Sequence, residues 1–279
     1  MKSCLAVSLA FAASISCAAD VQPIKDAGPY VPSPQSVVAD MLRYADVGPG
    51  DFLIDLGSGD GRIVLTAAKV FGARGFGVEI KDELVTRSNE AAKNEGLAER
   101  VKFLKQDLFK TDITQATVIT MYLLPDTVNL LKDKFLSELK PGTRIVSHDY
   151  PLTGWKPVKY EQFDLEEKVN ISGVTTTLIY VYVVPAKVAG TWKASFPASL
   201  GAGPASMVLT QNITRIGGSV FINKKELPIE YVDIVGEQIR FKLKGRKGEF
   251  TGQVRGKTIE GVLDTGGGAK TPWSATLGG

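Results

Sequence analysis

The sequence predicts an α/β protein in which a doubly wound, mostly parallel seven-stranded sheet is followed by a second, smaller all-β domain. Between residues 52 and 148, short apolar segments alternate with segments that have helical hydrophobic spacing, which is typical of a parallel sheet covered by helices. After Pro185, many glycines and short strand-like segments replace this pattern. A chain of 279 residues is long enough for two such units, each with its own core.

The spacing of apolar residues locates each element of the predicted sheet. A first helix is predicted over residues 35–45, because Val38, Met41 and Leu42 lie on one side of it. Strands and helices then alternate over residues 52–56, 62–71, 75–80, 82–95, 101–104, 116–122, 125–139 and 144–147. Two last strands, 160–169 and 175–184, are joined without a helix, which predicts an antiparallel hairpin at the sheet edge.

The first 34 residues predict two segments outside the sheet. Lys2 precedes a short apolar run, and small residues follow it, which is the layout of a secretory signal peptide over residues 1–19. Residues 20–34 are rich in proline and predict an extended segment. We therefore expect an exported, periplasmic protein. The alternative is an uncleaved N-terminus that anchors the chain to a membrane.

The predicted domains are residues 35–186 and 187–279, and their charges differ. The composition, 44% hydrophobic and 23% charged, excludes a disordered chain and a collagen. From residue 186 onward there are thirteen basic and seven acidic residues, so the β domain could bind another protein or an acidic surface. The net charge of +3 gives no reason to expect a nucleic-acid partner. Both cysteines lie in the signal segment and His148 is the single histidine, so no metal site is predicted.

A glycine-rich turn follows the first predicted strand. Glycines let a backbone turn tightly and approach a ligand closely, and the next helix presents free N–H groups. Dinucleotide sites use the spacing G-x-G-x-x-G, and Walker loops end in Lys-Ser or Lys-Thr. Here the spacing is G-x-G-x-G with an acid two residues before it, and the predicted ligand-binding residues are Asp55, Gly57, Ser58, Gly59 and Gly61.

Two more acids stand at the ends of the next two predicted strands. Glu79 ends the second strand, and Asp107 and Leu108 follow the third. The carboxyl ends of parallel strands meet at one edge of a sheet, where ligands of such folds bind. A carboxylate at Glu79 could accept charge-assisted hydrogen bonds from both hydroxyls of a ribose.

These motifs together resemble the class I S-adenosylmethionine-dependent methyltransferases, which have a Rossmann-like seven-stranded sheet. The resemblance implies S-adenosyl-L-methionine as the cofactor. It places the methionine end at Asp55 and the glycine turn, the ribose at Glu79, and the adenine at Asp107 and the adjoining Leu108.

A closer resemblance, over residues 28–160, is to the protein-lysine methyltransferases related to the ATP-synthase c-subunit enzyme. It rests on the Pro-Tyr-Val-Pro-Ser sequence at residues 29–33, the unbroken string from Asp55 to Arg62, Leu124-Pro125, and the segments at 150–151 and 154–157. The second strand departs from that group, because Ile80 and Lys81 stand where Asn-Pro often follows the acid. These relatives also imply an apolar N-terminal anchor.

The resemblance implies methyl transfer to a protein lysine. A lysine must first lose its proton, because an ammonium has no lone pair, and an aromatic slot lowers the pKa of the amine. Tyr30, Tyr122 and Tyr150 are the predicted catalytic slot residues, and His148 with Asp149 could act as a base. Two alternatives remain open: a small-molecule methyltransferase, and an exported protein that binds the cofactor or recognises a partner without catalysis.

Overall fold

The computed structural model describes residues 30–268 and 270–278, which form a seven-stranded sheet covered by helices and an eight-stranded closed barrel. The predicted signal segment, 1–19, and most of the proline-rich segment lie outside the described residues. Within the described ranges, we find no helix with the length and apolar character needed to cross a bilayer.

The first unit contains seven strands and six helices. They are α1 (Gln35–Tyr44), β1 (Phe52–Leu56), α2 (Arg62–Phe71), β2 (Arg74–Glu79), α3 (Asp82–Asn94), β3 (Val101–Lys105), β4 (Val118–Met121), α4 (Pro125–Leu130), α5 (Lys132–Glu138), β5 (Arg144–His148), β6 (Lys159–Asp164), α6 (Val169–Ser172) and β7 (Thr176–Val183).

The sheet has the strand order β3-β2-β1-β4-β5-β7-β6, which confirms the predicted doubly wound class. Strands β1 to β5 are parallel, whereas β7 runs antiparallel to both β5 and β6. Strand β1 lies at the centre, and four of its five residues are buried. Since the chain crosses over from β1 to opposite sides of it, the ends of β1 and β4 border a cleft at the carboxyl edge.

Helices cover both faces of the sheet and create two cores. On one face, Val37, Val38, Met41 and Leu42 of α1 pack with the apolar side of α2 against the strands. On the other face, Phe135 of α5 packs among residues of β1, β4 and β5. Burying each such side chain stabilises the fold by about 1.5–3 kcal/mol, so the amphipathic pattern that predicts the helices also fixes them on the sheet.

The structure corrects two predicted elements. The predicted helix 125–139 divides into α4 and α5 at Leu131. The predicted strand 160–169 ends at Asp164, and a 3₁₀ turn and α6 follow it, so the connection to β7 is helical after all. The reason is tertiary: Lys168 turns inward from the 3₁₀ turn and bonds to Asp149 at 2.7 Å, which takes the chain out of the strand.

The second unit is a closed antiparallel barrel. Its strands are β8 (Gly190–Ser195), β9 (Ala205–Asn212), β10 (Arg215–Ile222), β11 (Lys225–Val235), β12 (Gln238–Leu243), β13 (Glu249–Arg255), β14 (Thr258–Asp264) and β15 (Thr271–Leu277). Pairing of β15 with β8 closes the barrel. Trp192 and Trp273 are buried inside it, and the Trp273 ring stacks on Phe196 with centroids 5.6 Å apart.

The barrel attaches to the edge of the sheet that lies away from the cleft. The N–H of Ala186, just after β7, donates to Gly236 O at 2.7 Å, and the Gln211 side chain donates to Ala186 O at 2.9 Å. A Cβ on Gly236 would lie 3.2 Å from Gly142 Cα, so the barrel turn packs closely against the turn before β5. These contacts are at the amino ends of the parallel strands.

Candidate functional site

A cleft of about 950 Å³, its open mouth included, lies at the carboxyl edge of the sheet. Nearly all the predicted site residues line it: Tyr30, Asp55, Gly57, Ser58, Gly59, Glu79, Asp107, Leu108 and Tyr122. Gly61 and Tyr150 lie outside the cleft lining. The predicted ligand-binding acids thus come together because β1, β2 and β3 end at the same edge.

The glycine turn has the backbone that its sequence requires. Gly57, Gly59 and Gly61 have φ values of +79°, +53° and +81°, a region that side chains with a Cβ rarely adopt. A Cβ on Gly59 would lie 2.4 Å from the Tyr30 ring, and one on Gly61 would lie 2.6 Å from the Phe103 ring. Gly61 therefore shapes the turn by packing, and Gly59 lets Tyr30 cover it.

Backbone donors hold the Glu79 carboxylate in place at the end of β2. Oε1 accepts the N–H groups of Ile80 at 2.8 Å and Lys81 at 3.0 Å, and Oε2 accepts the N–H of Gly59 at 3.1 Å. The carboxylate is thus tied both to its own strand end and to the glycine turn. A group that is oriented in advance in this way can accept hydrogen bonds from a ligand with little loss of entropy.

Asp55 presents one unpaired oxygen at the base of the cleft. Only 1% of the residue is exposed, and Oδ1 accepts a 2.7 Å bond from the Thr120 hydroxyl. Burial raises the pKa of Asp55 to about 7, the Thr120 bond opposes this, and the nearby Glu79 carboxylate adds to it. Within residues 30–268 and 270–278, Asp55 Oδ2 and Ser58 Oγ are buried without a hydrogen-bond partner. Such atoms fit a polar, cationic ligand group such as an ammonium.

The loop after β3 forms the third wall. Asp107 Oδ1 accepts the N–H of Phe109 at 2.8 Å, and Leu108 lies between them on the cleft lining. One carboxylate oxygen of Asp107 is thereby oriented by its own turn. A flat apolar side chain beside an acid suits a heteroaromatic ring that carries an amino group.

The segment before α1 forms a strap across the cleft, and it includes residues that the motif search missed. The Arg62 guanidinium donates to Ser33 O at 2.8 Å and pairs with Asp60 at 2.6 Å. The Ser33 hydroxyl shares a 2.8 Å hydrogen bond with His148 Nδ1. Arg62 stands directly after the glycine motif, but its contact with Ser33 spans 29 residues and has no local sequence signal.

The predicted tyrosines divide into two places. The Tyr122 and Tyr150 rings are 6.5 Å apart between centroids with planes 18° apart, and the Tyr122 ring lies 4.0 Å from that of His148. Tyr30 instead lies over Gly59 on the strap side of the cleft. Burial, with the adjacent Asp149 carboxylate, raises the pKa of Tyr122, so this hydroxyl is uncharged at neutral pH.

The geometry argues against His148 and Asp149 as a base pair. His148 is fully buried, and its Nε2 lies 3.5 Å from Asp149 Oδ1, beyond a hydrogen bond. Burial lowers the pKa of His148 to about 4, so the ring is a neutral packing and strap-binding group. Asp149 pairs with Lys168, a residue that the sequence analysis did not single out.

The fold and the cleft together define a class I S-adenosylmethionine-dependent methyltransferase. Residues 55–159 match the family model described as the ANTKMT methyltransferase domain. The chain is 42% identical, over 158 residues, to a protein-lysine N-methyltransferase of Saccharolobus islandicus, which covers 56% of this chain and 93% of that protein. The chain belongs to this protein-lysine N-methyltransferase family.

Two further comparisons agree with the class. The ATP synthase c-subunit lysine N-methyltransferase of Xenopus laevis is 32% identical over 46% of this chain, which spans 56% of that enzyme. A solved Salinibacter ruber structure, described as an RNA methyltransferase in complex with S-adenosyl-L-homocysteine, is 43% identical with a TM-score of 0.51. It covers 57% of this chain and 96% of its own. These findings confirm S-adenosyl-L-methionine as the cofactor and the resemblance to the c-subunit group.

Proposed function

We propose that this enzyme methylates the side-chain amine of a lysine in a protein. The observation that carries the proposal is the pair of aligned rings, Tyr122 and Tyr150, at the end of the cleft where β4 and β5 terminate. A lysyl chain is long and apolar up to its amine, so an aromatic slot accommodates it. The relatives from Saccharolobus islandicus and Xenopus laevis are both named as lysine N-methyltransferases.

The cleft residues divide the cofactor between them. Asp55 and Ser58 would hold the amino-acid end, Glu79 the ribose hydroxyls, and Asp107 with Leu108 the adenine. The fit rests on the unpaired Asp55 Oδ2 and on the Glu79 carboxylate oriented by three N–H donors. When bound, S-adenosylmethionine supplies a methyl group on a positively charged sulfur, which an amine lone pair can displace in line.

The protein's own contribution at the acceptor side is position and charge. The amine must arrive without its proton, and a slot bounded by the neutral Tyr122 and His148 disfavours a charged ammonium. The nitrogen–carbon bond forms as the sulfur–carbon bond breaks, and the proton has already left to water. No side-chain base is required, which is consistent with the buried position of His148.

One experiment tests both the chemistry and the acceptor. Purified protein is incubated with S-adenosylmethionine that carries a trideuterated methyl group and with a heat-treated cell extract, and labelled residues are found by mass spectrometry. We expect the label on lysine, with none from a Glu79→Gln variant. A separate arm holds extracted RNA, and another holds the small-molecule fraction. Label in either of those arms alone contradicts the lysine assignment, and label in none supports a non-catalytic binding protein.

We also propose that residues 1–19 direct export to the periplasm, with a retained membrane anchor as the alternative. The support is the sequence pattern of Lys2, the apolar run and the small residues near Ala18. Mass spectrometry of the mature N-terminus, together with cell fractionation, distinguishes the two. A mature chain that begins at residue 1 and stays in the soluble cytoplasmic fraction contradicts both.

For the barrel, we propose binding to an acidic surface. The end of the barrel opposite its contact with the sheet has loops at 223–224, 244–248 and 265–270. In and beside these loops stand six cations: Lys224, Lys225, Lys244, Arg246, Lys247 and Lys270. Binding to vesicles with 30% phosphatidylglycerol, lost in 0.5 M salt and absent on neutral vesicles, is the expected result. Equal binding to both vesicle types would contradict it.

A further inference from the structure

Lys168 is a charged side chain buried within the sheet domain, and the cofactor site does not use it. Only 1% of the residue is exposed. Its Nζ donates to Asp149 Oδ1 at 2.7 Å and to the carbonyl oxygen of Thr176. A buried ion pair adds little net stability, because the loss of hydration offsets the attraction between the charges. The pair therefore calls for a role other than stabilising the fold.

The backbone holds Asp149 in an unusual conformation. Its φ is +63°, a left-handed value that costs a residue with a Cβ about 1–2 kcal/mol. Its N–H donates to Leu178 O at 2.7 Å, and its Oδ1 also accepts the Leu178 N–H at 3.1 Å. Strand β7 thus fixes both ends of the residue. Backbone strain that the surroundings maintain in this way is found mostly at functional sites.

The other side of the Asp149 carboxylate faces the aromatic slot. It adjoins the hydroxyl of Tyr122 after β4 and lies near Tyr180 of β7. On β5, His148 Nε2 is 3.5 Å away. Each of these three groups is uncharged at neutral pH.

The acids of the neighbouring 3₁₀ turn face elsewhere. Glu166 and Glu167 are exposed, and Glu167 accepts a 2.8 Å bond from Ser36. Within the described residues, Asp149 and Lys168 are therefore the ionised groups that face this side of the slot.

We propose that Lys168 is a positioning residue for the methyl acceptor, which balances the charge of Asp149 so that the tyrosine slot holds a lysine amine as the free base. The inference rests on the proposed lysine acceptor. A carboxylate without this counter-charge would stabilise the ammonium form of a nearby amine. The ammonium cannot attack, so the balance of one buried pair decides what fraction of the bound acceptor is reactive.

The test compares kcat across pH 6–10 at saturating acceptor protein, identified as labelled above. The acidic limb of kcat reports ionisation in the bound complex. For Lys168→Gln, we expect that limb to move up by about one to two pH units. Its rate relative to wild type would then be about tenfold lower at pH 7 and would recover towards pH 10. The Asp149→Asn/Lys168→Gln variant removes both charges, and its relative rate should be independent of pH.

Two further variants make the result decisive. Asp149→Asn alone leaves a cation behind the slot and should move the limb to lower pH, so it tests the idea even if Lys168→Gln does not fold. Lys134→Gln breaks the partly buried Lys134–Glu138 pair of α5 and should change nothing. Relative rates for Lys168→Gln that stay constant with pH, while cofactor affinity is retained, would overturn the proposal. A wild-type enzyme that binds cofactor but labels no lysine would instead refute the proposed function.

Discussion

The clearest prediction concerns the Glu79 carboxylate. Glu79→Gln keeps the size of the side chain and removes its charge. Its two oxygens accept three backbone N–H groups at 2.8, 3.0 and 3.1 Å, and the residue lines the cleft at the predicted ribose position. Hydrogen bonds to a charged acceptor contribute about 1 kcal/mol more than bonds to a neutral one. Two bonds to a ribose diol therefore weaken by about 2 kcal/mol, or about 30-fold in Kd.

The amide adds a local penalty to this loss. Whichever way it points, its NH₂ group faces either the Gly59 N–H or the N–H groups of Ile80 and Lys81. Isothermal titration with S-adenosylmethionine measures the change in Kd, and thermal unfolding checks the fold. Glu95→Gln is the matched control, because it removes a carboxylate that pairs with Lys69 on the surface. An affinity within threefold of wild type for Glu79→Gln would show that the ribose is not bound there.

Three other predictions concern pH and packing. Since the pKa of Asp55 is raised to about 7, cofactor Kd should rise about tenfold from pH 8 to pH 6; titration of Asp55→Asn should show no such rise, and an equal rise would refute it. For folding, raised Asp55 lowers stability as pH rises from 3.8 to about 7, whereas lowered His148 lowers stability as pH falls from 6.5 to about 4. In urea unfolding, Asp55→Asn should therefore lose stability relative to wild type towards pH 4, and His148→Gln should gain it; identical slopes would contradict both. Gly218→Ala places a Cβ 2.0 Å from Val208 O at φ +143° and should destabilise the barrel by about 3 kcal/mol with unchanged cofactor affinity, whereas Gly256→Ala, with open space around it, should cost about 1 kcal/mol; equal melting temperatures for the two would refute this reasoning.

Much of the sheet domain could be predicted because its signals are local. The predicted bounds of β1 and α2 agree with the structure, and those of β2, α3 and β3 agree to within a residue. Apolar spacing defines such elements, and short connections restrict how they can assemble. In the barrel, the same method located parts of β9, β10, β12, β13 and β14 but missed β11. Strand β11 contains Pro228 and a bulge between Glu230 and Asp233, which interrupt the alternating pattern.

The candidate cofactor site followed from topology as much as from motifs. Once β1, β2 and β3 are parallel and adjacent, the residues after each strand must lie at one edge. This places Asp55, Glu79 and Asp107 around one cleft without any knowledge of packing. The acceptor side lacked this constraint, and Tyr30, grouped there with the other tyrosines, instead covers Gly59.

The sequence by itself determined the class of fold, the glycine turn and the three acids of the cleft, because each depends on neighbours within a few residues or on strand order. Only the tertiary structure decided that the Ser33 hydroxyl meets His148, 115 residues away, and that Lys168 is buried against Asp149. A charged or polar side chain enters a core only where a distant partner satisfies it. The energy of that pairing depends on the whole packed arrangement, and no local pattern of residues records it.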